Sequence, residues 1–560
     1  MEKVKKKHSV LKVVLTILLL VVVVCVVLAI IGFKRAGSKG DGGYAYTDEI
    51  MELSDDSIGD VQVSTMPLEN GTLLKRGSFT YSGRVVYTVK DGKNTSYYTC
   101  NDDGTDQLLL CTTELSGGNR LLPFYDNTRV LLGDYILECP SGQTLDTCEE
   151  GQAQLIPINF PKEFSEDDAV TDVWTEVIIA QDCKHFAWTI RRSDCGAVNA
   201  MGELVRGEDA YEIEGAEYIS NMNAFEEDGD YLTYTPEIGG EVKQFVHGGT
   251  AISLVGSDSC GMGDSVVQDV ATGEVTQITK TPGYDETTIF SPDEKLGMTM
   301  TSRFSETSDL AVLGTVKRPY GQTLHNIMGQ IYMYSVTGVR SGREGNVGPA
   351  LIRISYSMKK DGYKGIDLSD PSEEWVFNSP MSWNDDGSKA MWIEREKNGN
   401  HIRLRIVTLL DYHPRNQVEV QNTPEVGDYA AAPKENMDYS GRIQGKESGY
   451  VDVEKKSGLL GKTTVTVTYH DYSDDGEHYY NGTETSSGAV MTKTTYYSDL
   501  KVTDEDGEEI GAMDIDLHFS AAYKLSSPVT GSTTPELDTE NSHGLAVWED
   551  TSANISLLVE

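Results

Sequence analysis

Positive charge is scarce in this chain: 47 Lys and Arg stand against 88 Asp and Glu among 560 residues. Residues 41–560 hold 39 of the bases and 87 of the acids. A body so acidic repels nucleic acid and anionic lipid, which removes both as its ligands, while cationic partners or plain solubility fit it. CxxC is missing, so nothing points to a zinc ribbon. GxSxG, HExxH, a P-loop and a Rossmann glycine fingerprint are missing too, so the hydrolase, zinc-protease, nucleotide-hydrolysing and dinucleotide classes have no motif here. The ten histidines are scattered, without the spacing of helix-borne metal ligands. No long stretch follows the 3.6-residue helical period.

One long apolar run exists. Residues 13–33 (VVLTILLLVVVVCVVLAIIGF) form 21 uninterrupted residues, enough at about 1.5 Å per residue to cross a roughly 30 Å hydrocarbon layer. Five lysines precede the run, and Lys34, Arg35 and Lys39 follow it. The expected arrangement is a single-pass signal-anchor helix with residues 1–12 as a cytoplasmic tail and the rest extracellular in the cell membrane. A cleaved signal peptide is the alternative, but its apolar segment is normally about 7–15 residues. Cys25 lies within the run as an apolar filler.

Seven cysteines follow. Cys100 with Cys111, Cys139 with Cys148, and Cys183 with Cys195 are closely spaced pairs that suit cross-hairpin disulfides in an oxidising compartment, with buried free thiols the open alternative. Cys260 is free in either case.

Residues 34–70 are rich in Gly, Ser and acids and read as a flexible linker. After them come short β-branched and aromatic runs separated by Gly, Asp, Asn and Pro, the pattern of an all-β domain. A unit of apolar strand, Asp-rich turn and apolar strand recurs in FTYSGRVVYTV (79–89), IIAQDCKHFAWT (178–189), FEEDGDYLTYT (225–235), IFSPDEKLGMT (289–299) and PMSWNDDGSKAMWIE (380–394), and RVLLGDYILE (129–138) is a looser copy. Asp and Asn bond to their own backbone and Gly tolerates positive φ, so each copy reads as an antiparallel hairpin. SYYTC-NDDGTD-QLLLC after the first copy, and SVVQDVATGEVTQITKT (265–281) before another, add third and fourth strands. Four strands per roughly 45–60 residues is the pattern of a propeller blade. The acidic turns NDDGTD (101–106), EEDGD (226–230), SDDGE (473–477) and DEDGEE (504–509) complete no calcium loop.

The SPDEK turn, its degenerate copies QDCKHFAWT and NDDGSKAMW, and the NDDGTDQLLL and ATGEVTQIT segments resemble the WD-like repeats of TolB-type β-propellers. The resemblance covers about residues 72–400 and a segment near 543–560. It implies six or seven blades over 71–436, with an inserted β-sandwich-like module at 437–527 and a propeller-closing segment at 528–560. Residues 301–375 exceed what a blade needs.

The resemblance also implies that the segments before each turn line a central channel. Tyr284, Asp285, Glu286, Trp174, Glu176 and Trp383 are then the candidate ligand-binding residues at its mouth, aromatic and carboxylate groups that suit a sugar or a cationic peptide. No catalytic residue, metal ligand or cofactor is assigned. The expected function is a non-enzymatic binding scaffold for protein or glycan partners in the cell envelope. The alternative is a lyase-like enzyme acting on polysaccharide, which requires several of His185, His247, His325, His401 and His413 to converge on a channel metal.

Overall fold

The computed structural model describes residues 50–555 apart from 69–73, 116–119, 193–195, 221–224, 229–230, 235–239, 258–261, 305–310, 335–346, 361, 373, 397–400, 431–439, 459–461, 490–491, 522–523 and 526–532. The tail 1–12, the apolar run 13–33, the first part of the 34–70 linker, Cys25, Cys195 and Cys260 lie outside the described residues. No described helix is long and apolar enough to cross a membrane.

Residues 51–409 form six sets of β-strands. Blade 1 is Leu74–Phe79, Val85–Asp91, Asn94–Cys100 and Leu108–Thr113. Blade 2 runs from Leu122–Pro123 to Gln154–Asn159, blade 3 from Val170–Ile179 to Tyr211–Tyr218, blade 4 from Val242–Val246 to Val275–Gln277, and blade 5 from Asp285–Phe290 to Ile366–Asp367. The outermost strands of blades 2 and 3 also pair with each other, in parallel, at Ile158 and Tyr211. Blade 6 takes Trp375–Trp383, Lys389–Glu396 and Ile402–Leu409 from one part of the chain and Gly59–Thr65 and Met51–Asp55 from another. Neighbouring blades pack through their first strands, except that Val170–Ile179 of blade 3 meets Arg129–Leu131, the second strand of blade 2, and Trp375–Trp383 packs back on Leu74–Phe79, which closes a ring. This is a six-bladed β-propeller.

Two faces of every blade are covered by neighbours, so its strands read as continuous apolar runs rather than alternating ones. Leu296–Thr301 (LGMTMT) is buried at all six positions. The turn after each first strand takes positive φ: Gly83, Asn127, Cys183, Glu294 and Gly387 do so singly, and in blade 4 His247, Gly248 and Gly249 do so in succession. In blade 5 the Ser291 hydroxyl donates to Asp293 Oδ1 (2.7 Å), and Asp293 Oδ1 also takes the Lys295 N–H, which holds the turn tightly enough for Glu294 to adopt φ 54°. Other acidic turns close on themselves in the same way, with Asp103 accepting from Thr105 and Asp504 from Asp506 and Glu508.

Several expectations are corrected. The 225–235 copy is an isolated hairpin, while the true first turn of blade 4, VHGGT at 246–250, carries no Asp and has no SPD-like pattern. RVLLGDYILE (129–138) supplies the second and third strands of blade 2, one step out of register with the other copies. The ring is closed by Gly59–Thr65, expected to be linker, because its register with Ile402–Leu409 (Val61 opposite Leu409, Thr65 opposite Arg405) fills the place assigned to the C-terminus. The C-terminal strands His543–Trp548 and Thr551–Asn554 instead extend the sheet that begins at Gly441–Gln444. That module is one eight-stranded antiparallel sheet, neither a sandwich nor an insertion. Its strands alternate, as in Glu509–Phe519, because only one face is covered.

What covers that face comes from residues 311–334, which lie in sequence between the second and third strands of blade 5. Leu324, Ile327 and Ile331, from short helices there, share a core with Val465, Tyr469, Leu500, Met513 and Trp548. Arg318 and Glu484, both with fully buried side chains, form an ion pair at 3.4 Å across the junction. Arg318 also donates to the Leu313 carbonyl (2.7 Å), and Tyr496 donates to Glu484. Burial pushes the Glu484 carboxyl up, against the pull of Arg318 and Tyr496.

Of the cysteine pairs, Cys100 with Cys111 and Cys139 with Cys148 are unbridged and follow the free-thiol alternative, while Cys195, the expected partner of Cys183, lies outside the described residues. Cys100, Cys111, Cys139, Cys148 and Cys183 are all free thiols. Cys100 packs between blades 1 and 6 and Cys111 between blades 1 and 2, on opposite faces of one sheet, where no bond can join them. Cys139 and Cys148 sit together in the second of these clusters, and burial followed by the adjacent Cys148 pushes the Cys139 thiol above its ordinary range.

Removing one partner of a buried ion pair leaves an uncompensated charge. Arg318→Met is expected to cost about 3–5 kcal/mol, read as a lower denaturation midpoint. The R318M/E484Q double variant should recover part of that loss, and strictly additive losses would show that the two groups are not coupled.

Candidate ligand-binding channel

The six first strands surround a central channel, and five of the six blades send a charged side chain into it. Arg76 comes from blade 1, Arg120 precedes the first strand of blade 2, Glu176 belongs to blade 3, Glu241 and Lys243 to blade 4, and Glu286 to blade 5. Lys243 is the centre: its Nζ lies 2.7 Å from Glu241 Oε2, 3.2 Å from Glu286 Oε1 and 3.6 Å from Glu176 Oε2. Arg120 pairs with the other oxygen of Glu176. Blade 6 contributes the Ser379 carbonyl, which accepts from Arg76 Nη1 at 3.3 Å.

Burial decides how these groups titrate. The Lys243 side chain is 6% exposed. Burial alone favours its neutral amine, but Glu241, Glu286 and Glu176 together outweigh it and hold the ammonium charged above its ordinary range. Burial also opposes ionisation of Glu241, yet Lys243 and Arg120 hold that carboxyl down at about 2. At Glu176 burial prevails over Arg120 and Lys243, and the carboxyl is raised. Arg76 is lowered to about 10, by burial first and then by Arg120 and Arg395. Glu286 Oε2 is buried and accepts no hydrogen bond from the described residues.

Beyond the charges, toward the turning ends of the strands, lies a cavity of about 130 Å³. Phe79, Leu122, Ile178, Lys243, Ile289 and Met381, one from each blade, line it. Its floor is a strap, residues 410–430, that leaves blade 6 and crosses blades 5 and 4. Asp293 Oδ2 accepts from Tyr412 (2.9 Å) and the Arg415 N–H (3.0 Å), Val418 donates to the Pro292 carbonyl, and Gln421 to the Gly248 carbonyl, both at 2.9 Å. Gly248 is required here by space as well as by φ, since a Cβ would stand 2.2 Å from the Glu419 carbonyl oxygen. Gln417 and Val418 face the cavity.

Of the six residues expected at the channel mouth, Glu176 and Glu286 do meet, bridged by Lys243. The others are structural. Tyr284 is buried against Gly263. Asp285 is fully buried and paired with Arg303 Nη2 at 2.7 Å. The Trp174 ring lies over Gly133, where a Cβ would come within 2.4 Å of it. Trp383 donates to the Ile289 carbonyl (2.9 Å) and packs blade 6 on blade 5, while also edging the cavity. Arg76, Arg120, Glu241 and Lys243 were not found from sequence. Lys243 precedes a turn without Asp, so the strand that carries it was not recognised.

The histidines do not gather. His185 bonds Asp182, His247 lies by Glu294, His401 bonds Glu396 and His413 lies on the strap, while the His325 side chain is outside the described set. Among the described residues no three His, Cys, Asp or Glu side chains are grouped as metal ligands.

No protein-family model and no curated relative matches the chain. Among solved structures it is similar to a TolB from Agrobacterium tumefaciens, at 10% identity, 56% of this chain, 87% of that one and TM-score 0.31. It is similar to TolB from Acinetobacter baumannii at 13% identity, 61% and 66% coverage and TM-score 0.29. With an oligogalacturonate lyase from Vibrio parahaemolyticus the values are 12%, 67%, 99% and 0.36. TolB and the lyase are β-propeller proteins, the architecture that the strand order of this chain displays independently.

Glu241 is ordinarily near 4.5 and is held at about 2 in the fold, so its stabilisation is complete above 4.5 and is lost as pH falls toward 2. Glu241→Gln should therefore flatten the acid limb of thermal stability between these limits. An unchanged acid limb would mean that Lys243 is neutralised mainly by the other two carboxylates.

Proposed function

We propose that the chain is a membrane-anchored binding scaffold, held by residues 13–33 with its N-terminus cytoplasmic, that displays a TolB-like propeller outside the cell to a protein or glycan partner of the envelope. The observation that supports this reading is the state of the channel. Its charges are spent on one another, and its cavity of about 130 Å³ falls below the roughly 300–1,000 Å³ of a small-molecule site. An oligosaccharide has no room there. What the channel does provide is rigidity, since one lysine ties three consecutive blades and a strap closes one end. Rigid loop-built faces on such a frame suit recognition.

The test separates binding from turnover. The purified full-length chain is incubated with acidic oligosaccharides, with and without manganese, and products are followed by the ultraviolet absorbance of a newly formed double bond and by chromatography. The scaffold reading expects no product, together with saturable retention of an envelope glycan or peptide fraction. Product formation that is lost in Glu286→Gln would put the lyase reading in its place.

A further inference from the structure

On the outer side of blades 5 and 6, apart from the channel, lies a concavity of about 460 Å³, within the range of small-molecule sites. Four separate segments build it. They are the turn between the two N-terminal strands of blade 6, the first turn of blade 5, the end of Gly348–Arg353 and the beginning of the strap. On this acidic protein its lining carries three cations, Lys295, Arg353 and Arg415, against two carboxylates, Asp56 and Asp411. None of these three cations has a carboxylate within ion-pair distance among the described residues.

The site is organised in advance. Arg353 Nη1 donates to the Ser57 carbonyl at 2.6 Å, its guanidinium carbon lies 5.2 Å from the centre of the Tyr356 ring, and its backbone N–H donates to Tyr363 at 3.0 Å. Arg415 is positioned by its N–H on Asp293. Asp411 Oδ2 takes the Asp60 N–H (3.0 Å), and Gly59, at φ 94°, leaves room for the Asp411 side chain where a Cβ would come within 2.7 Å of it.

From this arrangement we infer that the concavity binds a small phosphorylated sugar or a close equivalent, with the phosphate on Lys295, Arg353 and Arg415 and hydroxyls on Asp56 and Asp411. A single carboxylate is satisfied by one guanidinium. Three cations without a carboxylate partner among the described residues instead match a phosphate, which carries about 1.5–2 negative charges near neutral pH and three strong acceptor oxygens. Carboxylates beside them repel a bare anion but accept from the hydroxyls of a polyol. A long polyanion is disfavoured by the 87 acidic residues of the body, whereas a small ligand feels chiefly charges within the screening length of about 8 Å. The inference does not depend on the proposed scaffold role, since it concerns a different part of the molecule.

The experiment is calorimetric titration of the purified full-length chain with glucose 6-phosphate, inorganic phosphate, glucose and phosphatidylglycerol vesicles. Glucose 6-phosphate is expected to bind more tightly than phosphate or glucose. The K295Q/R415Q variant alters two exposed side chains, so its unfolding temperature should be unchanged while its affinity falls at least tenfold. K360Q/K364Q, which changes lysines outside the concavity, should bind as wild type does. Absence of binding at millimolar ligand, equal binding by K295Q/R415Q, equal affinity for phosphate and its sugar ester, or binding to vesicles alone would each overturn the assignment.

Discussion

Pairing of Gly59–Thr65 with Ile402–Leu409 is the constraint on which the rest of the propeller depends. The two strands are joined by side chains as well as backbone: fully buried Arg405 donates to Thr65 Oγ1 at 2.8 Å across 340 positions of sequence. Closing so long a loop costs only logarithmically more than closing a short one, so the pairing is affordable once the blades between have formed. Without it, Ile402–Leu409 would be an open edge and blade 6 would lose its fourth strand. Blade 1 would then lose support, because Leu404 presses on Gly77 so closely that a Cβ there would meet it at 2.3 Å.

Closure also makes the channel chemistry possible. Lys243 gathers carboxylates from blades 3, 4 and 5, and each of those strands is held in position by the ring rather than by its own sequence. Buried charges of this kind are stable only when fully compensated, and the arrangement puts three acids near three bases. The consequence is a compensated centre in which Glu286 Oε2 accepts no hydrogen bond from the described residues.

The C-terminal sheet is joined to the propeller by a different device. Residues 311–334 fill the inward face of the sheet, so one hydrophobic cluster runs from Met298 and Trp392 in the blades to Val467 and Ile515 in the sheet. Arg318 and Glu484 form a fully buried ion pair between the two layers. The length of 301–375, excessive for a blade, thereby acquires its reason.

Local chemistry was readable from sequence wherever a strand or turn carried its own signal. SPDEK, NDDGS and QDCK marked true blade turns because Asp bonds to the backbone two residues on, and four-strand units followed from their spacing. The run of 13–33 and the acidic body are equally direct properties of the chain. Tertiary structure decided what depends on distant partners. Which strand closes the ring turned on the register of Val61 with Leu409, and which face Cys100 shares turned on the pleat of its sheet. Whether Glu176 meets Lys243 turned on the packing of blade 3 against blade 4. VHGGT hid a blade because its left-handed positions fall on His247, Gly248 and Gly249 with no Asp to bond the backbone, so the turn lacks the side-chain signature of the others.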